Sequence, residues 1–443
     1  MIKNRFKPSA FQIISAGYLL LILLGSLLLM LPVSSAGRGG ATFFDSFFTA
    51  TSAVCVTGLI VRDTALHWSE FGQFIIMLLI QIGGMGVITV ALMFSFLSGK
   101  KIGLKQRSIM QEAISAPQLG GIVRLTKFII ITTFLSEIIG ALLLLPRFLK
   151  IMPFPRALFS SLFTSVSAFC NAGFDVMGKS GGEFSSLTLF SSDYLVNAVV
   201  MFLIVFGGIG FLTWDDFKTH KFKIRKYRMQ SKVILLLTLL FILIPAIWFF
   251  FFECKNLPTG KRIIVSLFQS VTLRTAGFNT VDLNAMSGSG KTLMIIFMLI
   301  GGAPGSTAGG VKITTVAVLA LTVRAVFKRD TSVTCFGRKI SDETVRNAIT
   351  LFMMYFFMFA TGGIIISAVE HLPILTCLFE TASAAGTVGL TLGITGGLHA
   401  VSRIILIILM IFGRVGGLTL IYASSATPNP EKGDLPYEKI SVG

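Results

Sequence analysis

Long apolar runs alternate with short ones along this chain. Residues 19–31, 74–97, 128–145, 233–252, 293–300 with its continuation, 351–369 and 404–421 are almost wholly apolar. They approach or reach the ~20 residues that carry a helix across ~30 Å of hydrocarbon. Between them lie shorter apolar segments of roughly 10–14 residues, too short to cross a bilayer as a helix, so they read as re-entrant. The pattern predicts an all-α polytopic membrane protein.

The short segments are copies of one another. FTATSAVCVTGL (48–59), FTSVSAFCNAGF (163–174), FQSVTLRTAGF (268–278) and FETASAAGTVGL (379–390) place Gly58, Gly173, Gly277 and Gly389 at intervals of 115, 104 and 112 residues. The third copy is one residue shorter between its Phe and its Gly. Each copy follows a long run and precedes a Gly/Ser-containing stretch and a second long run. Four tandem M1-P-M2 units (helix, pore half-helix, helix) are therefore expected around a pseudo-fourfold central pore, with eight transmembrane spans. The units fall at 1–99, 128–214, 233–326 and 347–422. Basic linkers at 100–127 and 215–232 and a further linker at 327–346 join them, and a tail at 423–443 follows.

Charge orients this arrangement. The 443 residues carry 38 Lys+Arg against 20 Asp+Glu, a net +18, yet only 13% of them are charged and 53% are hydrophobic, with 41 Phe. The segments on the N-terminal side of the predicted membrane hold 24 Lys+Arg and the opposite segments 12, while Asp+Glu number 9 and 10. That asymmetry places the first set, and both termini, in the cytoplasm. The basic surplus is thus topological, and nucleic acid is not an expected partner. The stretch 215–232, with seven Lys/Arg, suits anionic lipid headgroups. A cleaved signal peptide is not expected, because the first apolar run exceeds the usual ~7–15 residues. The five cysteines show no paired spacing, and the four histidines are scattered, so neither a disulfide framework nor a metal site follows. No HExxH or CxxC motif supports an enzyme.

The chemistry lies in four tetrapeptides: Val56-Thr57-Gly58-Leu59, Asn171-Ala172-Gly173-Phe174, Thr275-Ala276-Gly277-Phe278 and Thr387-Val388-Gly389-Leu390. Irregular backbone survives at membrane depth only where it is buried in protein or lines water. Glycine opens dihedrals closed to other residues, so successive carbonyls can face one axis. Four such strands can replace the hydration shell of an alkali cation. None of them contains a carboxylate, which argues against a divalent-cation filter.

These residues resemble the Trk/Ktr/HKT superfamily of potassium transporters, and within it the bacterial Ktr membrane (KtrB-type) subunit. The resemblance covers the whole chain and rests on VCVTGL, AFCNAGF, TLRTAGF and GTVGLTLG, on GGAPGSTAGGVK (301–312), and on FGRVGG (412–417). It implies a K+-selective pore in the bacterial cell membrane, homodimeric, assembled on a cytosolic ring of nucleotide-binding regulatory (KtrA-type) subunits, with ATP/ADP bound on that partner and Na+ influencing some members. Gly58, where Na+-permeant members carry Ser, favours K+. No cofactor is expected in this chain itself.

Three further features follow. Gly301, Gly302, Ala303, Pro304, Gly305, Ser306, Thr307, Ala308, Gly309 and Gly310, with Lys312, cannot continue a helix. The resemblance makes this stretch a mobile intramembrane gate beneath the filter. Arg414, about 14 residues and ~21 Å into the last span, is expected to face the pore as a barrier to cations, with Glu137 as a candidate counter-charge. Arg274 is expected to pair with Asp282 or Glu380. Ala285–Thr292 imitates a phosphate-binding loop but lacks the strand before it, and GGMG (83–86) and GGIG (207–210) read as helix-packing glycines. The competing transport mechanism is a Na+-coupled symporter with alternating access; such carriers show inverted repeats, whereas these four run in one direction.

Overall fold

The structure is a computed structural model and describes residues 9–37, 39–97, 102–114, 120–417 and 419. The expected tail at 423–443 and part of the linker at 100–127 lie outside the described residues. One order of elements recurs four times. The first quarter holds α1 (Ala10–Met30), α2 (Phe43–Val54), α3 (Thr64–His67), α4 (Glu70–Met85), α5 (Val87–Leu97) and α6 (Leu104–Ile114). The second holds α7 (Ile122–Phe148), α8 (Phe154–Phe169), α9 (Gly178–Gly181), α10 (Tyr194–Gly208) and α11 (Phe211–His220). The third holds α12 (Met229–Trp248), α13 (Thr259–Thr272), α14 (Gly288–Leu299) and α15 (Ile313–Lys328). A small hairpin, β1 (Thr334–Cys335) with β2 (Arg338–Lys339), leads to α16 (Asp342–Glu370), α17 (Ile374–Gly386) and α18 (Ala400–Val415).

The first helix of each quarter is long and apolar: α1, α7, α12 with its π-helical extension to Glu253, and α16 have 21, 27, 25 and 29 residues. Local chemistry sets their starts. Ser9 and Gln12 form a reciprocal capping box at α1, and Ser341 caps α16 with Asp342 and Glu343 in the first turn. These helices leave broad aliphatic faces exposed, such as Leu20, Leu24, Leu27 and Leu28 on α1 and Leu135, Ile138 and Leu142 on α7. Faces of that kind suit a hydrocarbon surround.

The short helices α2, α8, α13 and α17 are packed inside. The phenylalanine that opens each sequence copy (Phe48, Phe163, Phe268 and Phe379) is fully buried, which explains why it recurs. The apolar runs that follow do not form unbroken helices as the sequence pattern suggests. α4 stops at Gly86 (φ 86°) and α18 at Gly416 (φ 91°), Gly210 (φ 89°) stands between the end of α10 and the start of α11, and α10 and α11 meet at 96°. The loop 300–312 separates α14 from α15. A single left-handed glycine is enough to turn a helix off its axis.

Three turns of packing lock each break to the short helix of its own quarter. A Cβ at Gly83, Gly207 or Gly413 would fall on the carbonyl oxygen of Val54, Phe169 or Ala385 respectively. These residues sit at the same point, two positions before each tetrapeptide. The packing role expected for GGMG and GGIG is thus present, and their last glycines add the helix break. Gly207→Val is expected to cost about 1–3 kcal/mol through overpacking against a rigid carbonyl. Thermal unfolding of the full chain in detergent, compared with Gly288→Val at a glycine with open space around it, checks this.

Candidate functional site

Each short helix hands the chain to its tetrapeptide by one device. The N–H of the second residue reaches back into the helix: Thr57 to Ser52 O at 2.8 Å, Ala172 to Ser167 O at 2.7 Å, and Val388 to Ser383 O at 2.8 Å. In the third quarter Ala276 bonds Thr272 O, four residues back instead of five, at 3.0 Å. That shorter return absorbs the residue missing from the third sequence copy.

The dihedrals then alternate in sign. The first residue of each tetrapeptide has positive φ (Val56 56°, Asn171 59°, Thr275 60°, Thr387 52°), as does the third (Gly58 92°, Gly173 67°, Gly277 80°, Gly389 93°). Alternation of this kind turns successive peptide planes so that their carbonyls face one side. Gly58 N and Gly389 N donate to Ser52 Oγ and Ser383 Oγ, both at 3.0 Å, and Thr272 Oγ1 donates to Phe278 O at 2.6 Å.

The four strands meet in a closed ring. A Cβ built on Gly58 would strike Ala172 O; on Gly173, Ala276 O at 2.8 Å; on Gly277, Val388 O; on Gly389, Thr57 O. Each glycine therefore abuts the second carbonyl of the next strand, and the fourth returns to the first. The C-terminal ends of the four short helices converge on this ring, adding their partial negative charge. Backbone oxygen with no carboxylate side chain is a donor set for a dehydrated monovalent cation.

The loop 300–312 lies directly against the ring. Gly301 N donates to Val311 O at 2.8 Å and closes its neck. Ala303 N and Thr307 N donate to Gly208 O and Gly207 O at 2.9 and 3.3 Å, and Phe211 N donates to Gly305 O at 2.7 Å. Gly310 N donates to Gly413 O at 3.1 Å, and Gly309 presses on the side chain of Thr387. Thr307 Oγ1 donates to Asn171 Oδ1 at 3.1 Å, and Asn171 Nδ2 donates to Arg274 O at 3.1 Å. Arg414 donates to the carbonyls of Thr307 and Gly83, and to Gly84 O at 2.9 Å. Lys312 Nζ donates to Ala308 O at 2.6 Å. Both cations line a cavity of about 140 Å³ with Tyr18 and Glu112.

Two expected pairings are replaced by others. Arg274 is buried and, among the described residues, makes no ion pair; its Nη1 has no hydrogen-bond partner. Glu380 instead grips the loop after the fourth tetrapeptide, accepting from the hydroxyls of Thr391 and Thr395 (3.1 Å) and from Leu392 N (3.2 Å). Asp282 accepts from Asn284 N at 2.9 Å. Glu137 does not meet Arg414: it lies behind the second strand, 3.9 Å from Cys170 Sγ. At 285–292 the carboxylate of Glu253 accepts from Ser287 N at 2.9 Å and from Ser287 Oγ, so an acid occupies the place a phosphate would need. All five cysteines are free.

Sequence reasoning missed the bridge made by Asn171, although its polar side chain at a position held by Val or Thr in the other copies was a signal. It also missed two carboxylates beyond the ring. Asp63 accepts from Ala65 N, Leu66 N and Phe184 N at 2.8–2.9 Å. Asp175, directly after the second tetrapeptide and outside the membrane-crossing helices, accepts from Met177 N at 2.9 Å. Burial and the neighbouring Asp63 charge push its carboxyl up to about 6.

A family profile described as a cation transport protein (TrkH) matches residues 4–432. The chain is 37% identical to the potassium/sodium uptake protein NtpJ of Enterococcus hirae, over 100% of this chain and 98% of that one. It is also 37% identical to the Ktr system potassium uptake protein B of Bacillus subtilis, over 96% and 94%. The crystal structure of the potassium transporter TrkH from Vibrio parahaemolyticus shares its fold with a TM-score of 0.75 at 20% identity, covering 96% of this chain and 86% of that one.

Asp175 is ionised above about pH 6 and neutral below it. Cation flux at sub-saturating concentration is expected to fall severalfold as the pH on the Asp175 side drops through that value, because the local attraction for cations is lost. Asp175→Asn is expected to give a lower, flat profile, checked by flux measurements into vesicles at pH 5 to 8.

Proposed function

Because the chain belongs to the TrkH family of cation transport proteins, we propose that it is the membrane pore subunit of a K+ uptake system. Each quarter acts as an M1-P-M2 unit, giving eight spans with both termini in the cytoplasm of a bacterial cell. K+ sheds water into the ring of backbone oxygens at Thr57–Gly58, Ala172–Gly173, Ala276–Gly277 and Val388–Gly389. The loop 301–312 is the gate beneath that ring, and Arg414 with Lys312 forms the electrostatic barrier that gate movement relieves. The protein works as a homodimer with a cytosolic nucleotide-binding regulatory subunit, and no nucleotide binds this chain.

The single observation that carries this reading is the closed ring of glycines, each filling the space beside the next strand's carbonyl. The potassium uptake proteins to which the chain is similar support K+ as the ion. The sodium in the name of the Enterococcus hirae relative favours a second version in which Na+ is coupled to K+ uptake. A reversal potential that tracks the K+ gradient alone, at varied Na+, selects the pore over that symporter.

Gly58 has φ 92° and no room for a Cβ beside Ala172 O. Gly58→Ser is expected to displace that carbonyl and cut discrimination against Na+ about tenfold or more, since 1.4 kcal/mol of lost differential coordination suffices. K+-limited growth of a transport-deficient bacterium, with and without added Na+ and with and without a regulatory subunit, checks this. Deletion of residues 301–310 is expected to raise K+ flux and weaken dependence on the regulatory subunit; unchanged flux and dependence removes the gate from the proposal.

A further inference from the structure

Among the described residues, one side chain links the ring to the loop beneath it by hydrogen bonds. The first position of the tetrapeptides holds Val56, Asn171, Thr275 and Thr387. Val56 has no polar atom, and the hydroxyls of Thr275 and Thr387 find no partner. Asn171 uses both ends of its amide. Nδ2 can only donate, and it donates to the Arg274 carbonyl at 3.1 Å, the residue directly before the third strand. That choice turns Oδ1 toward Thr307, whose hydroxyl donates to it at 3.1 Å.

Thr307 is itself fixed on three sides. Its N–H donates to Gly207 O, its hydroxyl to Asn171, and its carbonyl accepts from Arg414. Gly207 leaves the slot open: a Cβ there would come within 2.7 Å of Thr307 Oγ1 and 3.0 Å of Asn171 Oδ1. The loop cannot withdraw without taking the hydroxyl from Asn171. The amide then has a buried, unpartnered oxygen and a reason to rotate, and its hold on the Arg274 carbonyl weakens with it.

We infer that Asn171 couples loop position to ion preference, so that the second and third strands of the ring hold their spacing only while Thr307 is docked. This rests on the pore-and-gate reading above and adds to it that opening and selectivity are linked. Asn171 and Thr307 are positioning residues here, acting through the strands they brace.

The test measures K+/Na+ permeability ratios of the full-length chain in lipid vesicles. Thr307→Val keeps the shape and removes the hydroxyl; it is expected to lower the ratio about threefold or more, in line with one lost hydrogen bond. Thr307→Ser, which restores the donor, is expected to restore the ratio. In an Asn171→Gly background, which tolerates the positive φ, Thr307→Val is expected to have no further effect. Asn171→Asp keeps the acceptor for Thr307 but cannot donate to Arg274, and is expected to lower the ratio even where Thr307→Val fails to accumulate in the membrane. An unchanged ratio in Thr307→Val, or independent effects of the two sites in the double variant, overturns the coupling. Gly58→Ser separates the layers: if it shifts the ratio and Thr307→Val does not, only the coupling fails, and if neither does, the underlying pore reading fails as well.

Discussion

Four backbone strands can pack around one axis only if nothing projects from the third residue of each into its neighbour. A methyl group at 58, 173, 277 or 389 would land on the carbonyl of the next strand, so the absence of a side chain there fixes the separation of all four. The rest of the interior serves that contact. Buried phenylalanines anchor the short helices, serines and threonines tie the strands back to those helices, and glycines on the following helices let them close on the helix ends. Because every strand touches two others, a displacement at one position is passed around the ring rather than absorbed locally.

The repeat, the short helices and the tetrapeptides were legible in the sequence because each depends on local pattern: run length, a recurring phenylalanine, a glycine at fixed spacing. The broken second helices were not. Residues 74–97 read as one run because hydropathy does not register a left-handed dihedral, and residue type does not separate Gly86, at positive φ, from Gly83, packed on a carbonyl. Side-chain partners were illegible for another reason. Arg274 and Glu380 carry opposite charges in neighbouring quarters, yet Glu380 is spent on the hydroxyls of the loop after its own tetrapeptide. Charge alone did not rank a nearby hydroxyl above a distant guanidinium. Asn171 was read for its backbone, as one of four equivalent positions, while its side chain does what none of the equivalents can.

The breaks and the half-buried Arg414 depend on each other. A helix that stops leaves its last carbonyls without intrahelical donors. α4 stops at Gly86, and the carbonyls of Gly83 and Gly84 are received by Arg414, which stands near the end of the last helix of the fourth quarter. An isolated buried charge is costly. Here carbonyls at the end of α4 accept its hydrogen bonds: Gly84 O, and Gly83 O, which also accepts from Gly86 N. The loop joins the same arrangement through Thr307 O, so first quarter, fourth quarter and loop are held at one point.

All four quarters lie in one continuous chain, and that covalent fact permits what identical subunits forbid. In a tetramer of equal copies, an arginine reaching under the axis would appear four times and close it by charge and bulk, and a long insert in one wall would be an insert in every wall. In one chain each quarter is free to differ from the others. One quarter here keeps the loop 300–312, one an arginine, one an amide, and one an unadorned valine. The approximate symmetry closes the ring of glycines, and its departures bring a loop, an arginine and an amide together against it.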